Sequence, residues 1–419
     1  MNILFVVPYV PSLVRARSYN LIRQLVKRGH CVDVMTLYSD DREQAQAESL
    51  KELVHAVHAL PITRWQSLWN CALALPTETP LQAVYSWHPS LANDIDRLMT
   101  SNTQAKYDVI HIEHLRGVRY GLHIKSRNLK VPVVWDSVDC ISYLFAQASG
   151  QSRSLFGKLI TQFELGRTRR YEGRLPGQFD HVLITSPIDR QALLDLVPEN
   201  VPIAPVSILP NGVDLEYFQA GEEVTREPAQ IILSGKMSYH ANVTMALFLT
   251  QEVMPRVWQR HQDVQLVIVG KDPPGNILAL GDHPAITVTG TVDDIRPYLR
   301  KATVAAVPLI YGAGSQFKLL EAMAVGTPVV ATSRAVSALE VQSGQDLLIA
   351  DNADDFAEKI LQVIEDPHCQ HQLGEAGKQF VERQHGWGTI VGQLEGIYNE
   401  VIHSKPKISG YRGGEGTAA

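Results

Sequence analysis

Val307-Pro308-Leu309-Ile310-Tyr311-Gly312-Ala313-Gly314-Ser315-Gln316-Phe317-Lys318-Leu319-Leu320-Glu321-Ala322-Met323-Ala324-Val325-Gly326-Thr327-Pro328-Val329-Val330 holds the pattern that decides the fold. The apolar run into Pro308 reads as a buried strand, the glycines after it as a turn, and the stretch from Ser315 to Gly326 as a helix. Pro328 then opens another apolar run. Strand, turn, helix and strand in succession is the unit of a parallel sheet with crossover helices. Free N–H groups at such a helix start suit a diphosphate, and the helix dipole adds to the attraction. Lys318 and Glu321, three residues apart, share one helix face. That face offers a cation for phosphate and a carboxylate for vicinal hydroxyls such as those of ribose. The residues alone equally allow a turn followed by a solvated Lys–Glu pair.

The same unit repeats outward from this segment. Apolar runs at 231–234, 265–270, 286–289, 303–308, 328–331 and 347–350 alternate with helical stretches. An earlier series at 3–7, 31–37, 109–112, 131–135 and 181–185 does likewise, with a helix over 14–28 stopped by Gly29. The expected architecture is therefore α/β: two Rossmann-like, doubly wound domains facing across a cleft. Their expected extents are 1–205 and 206–385, with a linker at 222–228, a last helix over 386–404 and a disordered Gly-rich tail over 405–419. Ligands of such sheets bind in the crevice at the strand carboxyl ends.

A chain of 419 residues has room for two full cores. Hydrophobic residues at 45% and charged residues at 20% exclude a disordered or fibrous chain. No apolar run approaches the ~20 residues of a bilayer span. Met1 leads directly into an apolar strand without a basic leader, so the expected location is the cytosol. Cys31, Cys71, Cys140 and Cys369 are scattered, with no spacing for zinc or a disulfide framework. The net charge of -6 divides unevenly, +3 before residue 205 and -9 after it. Basic residues gather at Arg15, Arg17, Arg23, Lys27 and Arg28, and at Arg167, Arg169, Arg170 and Arg174. Such clusters are either solvated helix faces or attractors of an anionic acceptor or an anionic membrane face. Nucleic acid is not expected, since no aromatic interleaving accompanies the charge.

The 307–330 segment strongly resembles the donor-site motif of family 4 glycosyltransferases, which have the GT-B fold, and the resemblance extends over nearly the whole chain. It implies that Glu321 holds the ribose of a nucleotide and that Gly314, Ser315, Gln316 and Phe317 hold the diphosphate and sugar. The family's E-x7-E motif has Ala313 in place of its first Glu here. The segment Ser234-Gly235-Lys236 resembles the family's Gly-Arg loop, with Lys236 in place of the Arg. Asn242 stands near the site of a later family Lys, so Lys318 is expected to supply that charge. Asn211-Gly212-Val213-Asp214 resembles the hinge-proximal signature, with Asn211 expected among the donor-binding residues, and Thr291 and Val292 match the loop over the nucleobase. Gly386-Trp387 and the helix through Tyr398 resemble the last helix that braces the first domain.

In the first half, Trp135-Asp136-Ser137-Val138-Asp139 resembles a variant found in exopolysaccharide-type members. His114 and Asp139 are candidates for orienting the acceptor hydroxyl or donor sugar, although strand-end residues of these types also serve as caps. Arg15 and Arg17 are candidates for the phosphate or acceptor side. The resemblance implies a retaining, metal-independent hexosyl transfer with a nucleotide sugar, UDP-sugar before GDP-sugar, as cosubstrate and no other cofactor. The acceptor would be a glycan, a lipid-linked sugar or a small molecule. A sugar-nucleotide epimerase of the same fold and a catalytically silent sugar-nucleotide binder are the alternatives. A nicotinamide dehydrogenase is excluded in that residues 8–16, after the first strand, contain no glycine.

Overall fold

The computed structural model describes residues 1–100, 106–149, 155–219, 226–311 and 317–404. Two parallel sheets organise them. The first contains β1 (Asn2–Val7), β2 (Cys31–Tyr38), β3 (Ala56–Pro61), β4 (Val109–Glu113), β5 (Val133–Val138), β6 (His181–Ile184) and β7 (Val206–Ile208) in the order β3-β2-β1-β4-β5-β6-β7. The second contains β8 (Gln230–Ser234), β9 (Gln265–Val269), β10 (Ile286–Gly290), β11 (Val304–Val307), β12 (Val329–Ala331) and β13 (Leu348–Ile349), in the order β10-β9-β8-β11-β12-β13. The central strands are apolar along their length because helices cover both faces. Ile3 to Val7 are all fully buried.

In each sheet the strand order reverses beside its first strand, between β1 and β4 and between β8 and β11. Connections leave such a pair toward opposite faces, opening a crevice at its carboxyl ends. The loops after β1, β4, β8 and β11 are therefore placed to carry chemistry.

β3 and β7 lie outside the strands expected from sequence. β3 is a half-buried edge interrupted by His58, and β7 has only three residues, so neither presents a long apolar run. β7 pairs with β6, which carries the first sheet to Ile208 and moves its end beyond the expected boundary at residue 205. Part of the expected linker and the whole 405–419 tail lie outside the described residues.

The helix Trp387–His403 returns to the first sheet. Trp387, Ile390, Val391, Leu394, Tyr398 and Val401 share a core with Phe5, Val7, Leu21 and Leu25. Tyr398 meets His111 in that core, phenol oxygen to Nδ1 at 2.8 Å. At the crossing Val213 bridges to Gly386, and its N–H donates to the His385 carbonyl at 2.7 Å. The basic residues of the helix Ala16–Lys27 turn out to be interdomain ties. Arg23 pairs with Asp214 and Glu216, Lys27 with Glu216 at 2.6 Å, and Arg28 with Glu395 at 2.7 Å. Arg23 and Lys27 thus tie the first unit to the second along this seam, while Lys27 and Arg28 stay open to solvent and Arg15 pairs with Glu43 of the first unit.

Candidate active site

The second-sheet switch point gathers Gly235, Lys236, Asn242, Lys318 and Glu321. Gly235 ends β8 with φ +143°, a region closed to most L-residues. A Cβ there would stand 2.8 Å from Asn242 Nδ2 and 3.2 Å from Lys318 Cε. Asn242 is a small crosslink between two loops. Its Nδ2 donates to the Lys236 carbonyl at 2.8 Å, and its Oδ1 accepts from Lys318 Nζ at 3.1 Å. Asn242 therefore joins the Lys-bearing loop after β8 to the Lys-bearing helix Phe317–Ala324 after β11. Lys236 itself is exposed.

Burial pulls the Lys318 ammonium below its ordinary value, while Glu321 pushes it back up. Burial raises the Glu321 carboxyl to about 7, and Lys318 acts in the opposite direction. One cation and one carboxyl thus share a helix face, both partly desolvated. A ligand offering anionic oxygens to the first and hydroxyls to the second would relieve both.

Thr291 and Val292 follow the +69° turn at Gly290 that closes β10. Thr291 is exposed and Val292 packs on the second core. The Phe317 ring packs against the core that contains Leu209 and Trp387, so its side chain braces the two units together. Gly314, Ser315 and Gln316, with Ala313, lie outside the described residues.

Across the crevice, His114 and Asp139 follow β4 and β5. His114 has φ +64° and Val138 φ +67°, costly for a residue with a Cβ and most of all for a β-branched one. The pairing of β5 with β6 shifts between Asp136 and Val138, which turns Asp139 out of the strand line. Burial, then the Asp189 charge, raise the Asp139 carboxyl to about 7, against the opposing pull of Arg17 and Thr185. Burial lowers His114 to about 4, so its imidazole is neutral near pH 7. Its Nδ1 accepts from the Arg116 N–H at 3.2 Å. Asp139 also contributes to raising the Tyr239 phenol of the second unit, behind burial and Tyr311, which brings the two sides within electrostatic reach.

Arg17 and Asn211 have positions other than those expected. Arg17 is 5% exposed, and its guanidinium donates to both Asp136 oxygens at 2.9 and 3.2 Å. It also donates to the Leu209 carbonyl at 3.0 Å, the Pro210 carbonyl at 3.2 Å and Asn211 Oδ1 at 3.1 Å. A guanidinium has five N–H donors, and these contacts use them all, leaving none for a phosphate. Asn211 is a hinge residue for the same reason, with its carbonyl on His385 Nδ1 at 3.0 Å. Arg15 lies on the rim, stacked over Tyr9 at 4.6 Å and paired with Glu43 at 2.8 Å.

Several site-lining groups went unread in the sequence. Glu113 is buried beside His114, accepts from Tyr9 at 2.7 Å and is raised to about 7 by burial and by Asp136. Tyr311, after β11, is stacked on His240 at 5.2 Å, with its hydroxyl 2.8 Å from His240 Nδ1 and 2.9 Å from Thr244 Oγ1. The signal for Tyr9 and Tyr311 is positional, since these sit in the loops after the switch-point strands β1 and β11. Among the described residues, the His, Cys and carboxylate group compact enough for an ion is Cys31, Asp33 and His55. It lies at the amino ends of β2 and β3, away from the crevice, and Asp33 already holds Lys106 at 3.0 Å and Tyr107 at 2.6 Å.

Comparison with known proteins identifies the family and the fold. A family profile described as glycosyl transferases group 1 matches residues 228–366, and one described as glycosyl transferase 4-like domain matches residues 14–212. The phosphatidyl-myo-inositol mannosyltransferase of Mycobacterium tuberculosis is 28% identical over 213 residues, 48% of this chain. The match spans 55% of that protein's length, so the chain covers about half of the mannosyltransferases it resembles. An uncharacterized protein from the cps region of Klebsiella pneumoniae is 21% identical over 80% of this chain and 83% of its own. Among solved structures, a glycosyltransferase from Rickettsia africae superposes with TM-score 0.65 at 14% identity, over 96% of this chain and 99% of that one. Anabaena HepE, solved with UDP-glucose, gives 0.62 at 16%, over 96% and 100%. With both of its sheets claimed by paired profiles and its two-sheet fold shared with such enzymes, the chain belongs to the group 1 glycosyltransferases of GT-B fold.

Proposed function

We propose that this chain is a retaining glycosyltransferase that moves a hexose-type sugar from a nucleotide diphosphate to an acceptor hydroxyl. The second unit holds the donor, and the first presents the acceptor, a glycan, a lipid-linked sugar or a small molecule. The observation that carries this reading is the Asn242 crosslink, which holds the Lys236 loop and Lys318 together at the second-sheet switch point. Two ammonium groups there offset the charge that accumulates on a leaving diphosphate as the glycosidic bond breaks. Glu321, one turn along, accepts from the ribose hydroxyls. The acceptor hydroxyl attacks from the same face as the departing diphosphate and passes its proton to the leaving phosphate oxygen, while the neutral His114 and the Asp139 carboxyl orient it from the first unit. The lysines supply the positive field that a divalent ion supplies elsewhere, so transfer is expected to survive EDTA.

A UDP-sugar is the first reading of the donor, as in Anabaena HepE, solved with UDP-glucose. GDP-mannose is the second, favoured by relatives named as mannosyltransferases, one of them GDP-mannose-dependent. A lipid-linked acceptor and peripheral contact with an anionic membrane fit the phosphatidylinositol acceptors in the same names. Thermal unfolding in the presence of UDP-, GDP- and ADP-sugars separates these readings, because a bound donor raises Tm by mass action. A rise with one class, followed by transfer that keeps the anomeric configuration, supports the proposal. No rise with any of them overturns it.

A further inference from the structure

The helix Arg64–Ala74, which follows the carboxyl end of β3, is amphipathic in the wrong direction for a surface helix. It turns Ser67 and Ala74 into the protein and leaves Trp65 80%, Leu68 55%, Trp69 66% and Leu73 59% exposed. These four lie at i, i+3, i+4 and i+8, one continuous stripe along ~12 Å of helix. Burial of large apolar side chains is the main driving force of folding, so a stripe facing water implies a partner outside the fold.

Charge identifies the partner. Residues 61–77 contain no Asp or Glu. The neighbouring helix Leu155–Arg174 is joined to this one through Arg167, which donates to the Ala74 carbonyl at 2.6 Å. That neighbour presents exposed Arg169 and Arg170, while its Arg174 pairs with Glu78 at 3.1 Å. Tryptophan and leucine on one side with arginine beside them is the composition of a helix lying in a bilayer interface, its apolar side sunk ~5–10 Å among the headgroups. Among the described residues no helix is long and apolar enough to cross a membrane, so such contact would be lateral.

We infer that the Trp65–Leu73 face docks on an anionic lipid bilayer. Leu13 and Val14, 78% and 82% exposed in the loop after β1, stand at the same sheet end with only β2 between their strands. The docked face therefore borders the crevice that holds His114 and Asp139, and an acceptor anchored in the membrane would enter from that rim. This docking stands apart from the donor assignment.

The test is flotation of the purified protein with phosphatidylcholine vesicles, with and without phosphatidylglycerol. The protein should float with the anionic vesicles, and Trp65→Ser/Leu68→Ser/Trp69→Ser should lose at least about tenfold of that partition. Arg169→Glu/Arg170→Glu should cost about fivefold per arginine, on the anionic vesicles only. Unchanged circular dichroism of the variants excludes misfolding as the cause. Equal flotation of parent and triple variant overturns the inference, and so does no flotation of the parent. A parent dimer that the triple variant makes monomeric, seen by light scattering, overturns it in favour of a second copy. If nucleotide sugars fail to raise Tm while flotation behaves as stated, the donor assignment falls and the docking face stands.

Discussion

Arg17 Nε stands 2.9 Å from Asp136 Oδ2, with the carboxylate fully buried and the guanidinium nearly so. The same arginine reaches Leu209, Pro210 and Asn211, so one buried ion pair fastens the strand-end β5 to the chain segment that leaves the first unit. Removing one member of such a pair leaves an uncompensated charge in the interior. Arg17→Met should lower unfolding free energy by about 3–5 kcal/mol, measured by urea denaturation. Arg17→Met/Asp136→Asn should recover part of the loss. Burial alone would raise the Asp136 carboxyl, but Arg17 and then His111 hold it well below the usual range. A depressed folded value contributes stability that is present above the unfolded value near 4 and lost as pH falls. The acid limb of the stability profile should therefore flatten in the double variant.

Glu321 has the opposite sign. Its folded value, raised to about 7, lies above its unfolded value, so between these pH values the folded state binds the extra proton. Stability without ligand should fall as pH rises from about 4.5 to 7, and Glu321→Gln should remove that slope. If the carboxylate receives ribose hydroxyls, Glu321→Ala should weaken donor binding by about 1–3 kcal/mol in calorimetry. Unchanged donor affinity in a folded variant would take the ribose role away from this residue.

In the proposed reading Lys236, on the loop after β8, and Lys318, on the helix after β11, meet one diphosphate charge. Lys236→Met and Lys318→Met should each lower turnover about 10²-fold, with a smaller effect on donor affinity, since the diphosphate charge grows in the transition state. The double variant should fall short of the product of the singles, because Asn242 couples the two loops. Rates within a few-fold of the parent at both positions would remove the diphosphate assignment.

Gly235→Ala tests the crosslink without touching a charge. Its Cβ would press on Asn242 and on the Lys318 stem, and its backbone would be held at φ +143°. Donor affinity should fall together with Tm, and Asn242→Ala should lower affinity with a smaller loss of Tm.

Both sheets were legible where strands are long and buried on both faces, as at β1 and β9. Buried strands present continuous apolar runs, whereas β3 presents a half-buried edge and β7 has only three residues. The pairing of Lys318 with the neighbourhood of Asn242 was legible through likeness to a family motif. No local pattern pairs Arg17 with Asp136, which lie 119 positions apart. An arginine near a first helix reads as solvent or phosphate contact until its carboxylate is located. The hold on Asn211 is hidden for the same reason, since the turn it makes is visible in sequence but the guanidinium that holds it is not.

The crossing at Val213 and Gly386 also sets the freedom of the two units. A body hung on one strand can swivel about any axis, but two strands bridged side by side leave one easy rotation, about the line through the bridge. Motion about that line would open and narrow the crevice like a book on its spine. Lys318 and Glu321 travel with one cover, His114 and Asp139 with the other. The Arg23 and Lys27 pairs with Asp214 and Glu216 lie next to the spine and move least. Rotation about that line would make the distance between the lysines and the first-unit carboxyl a single adjustable coordinate, and a ligand touching both covers would fix its value.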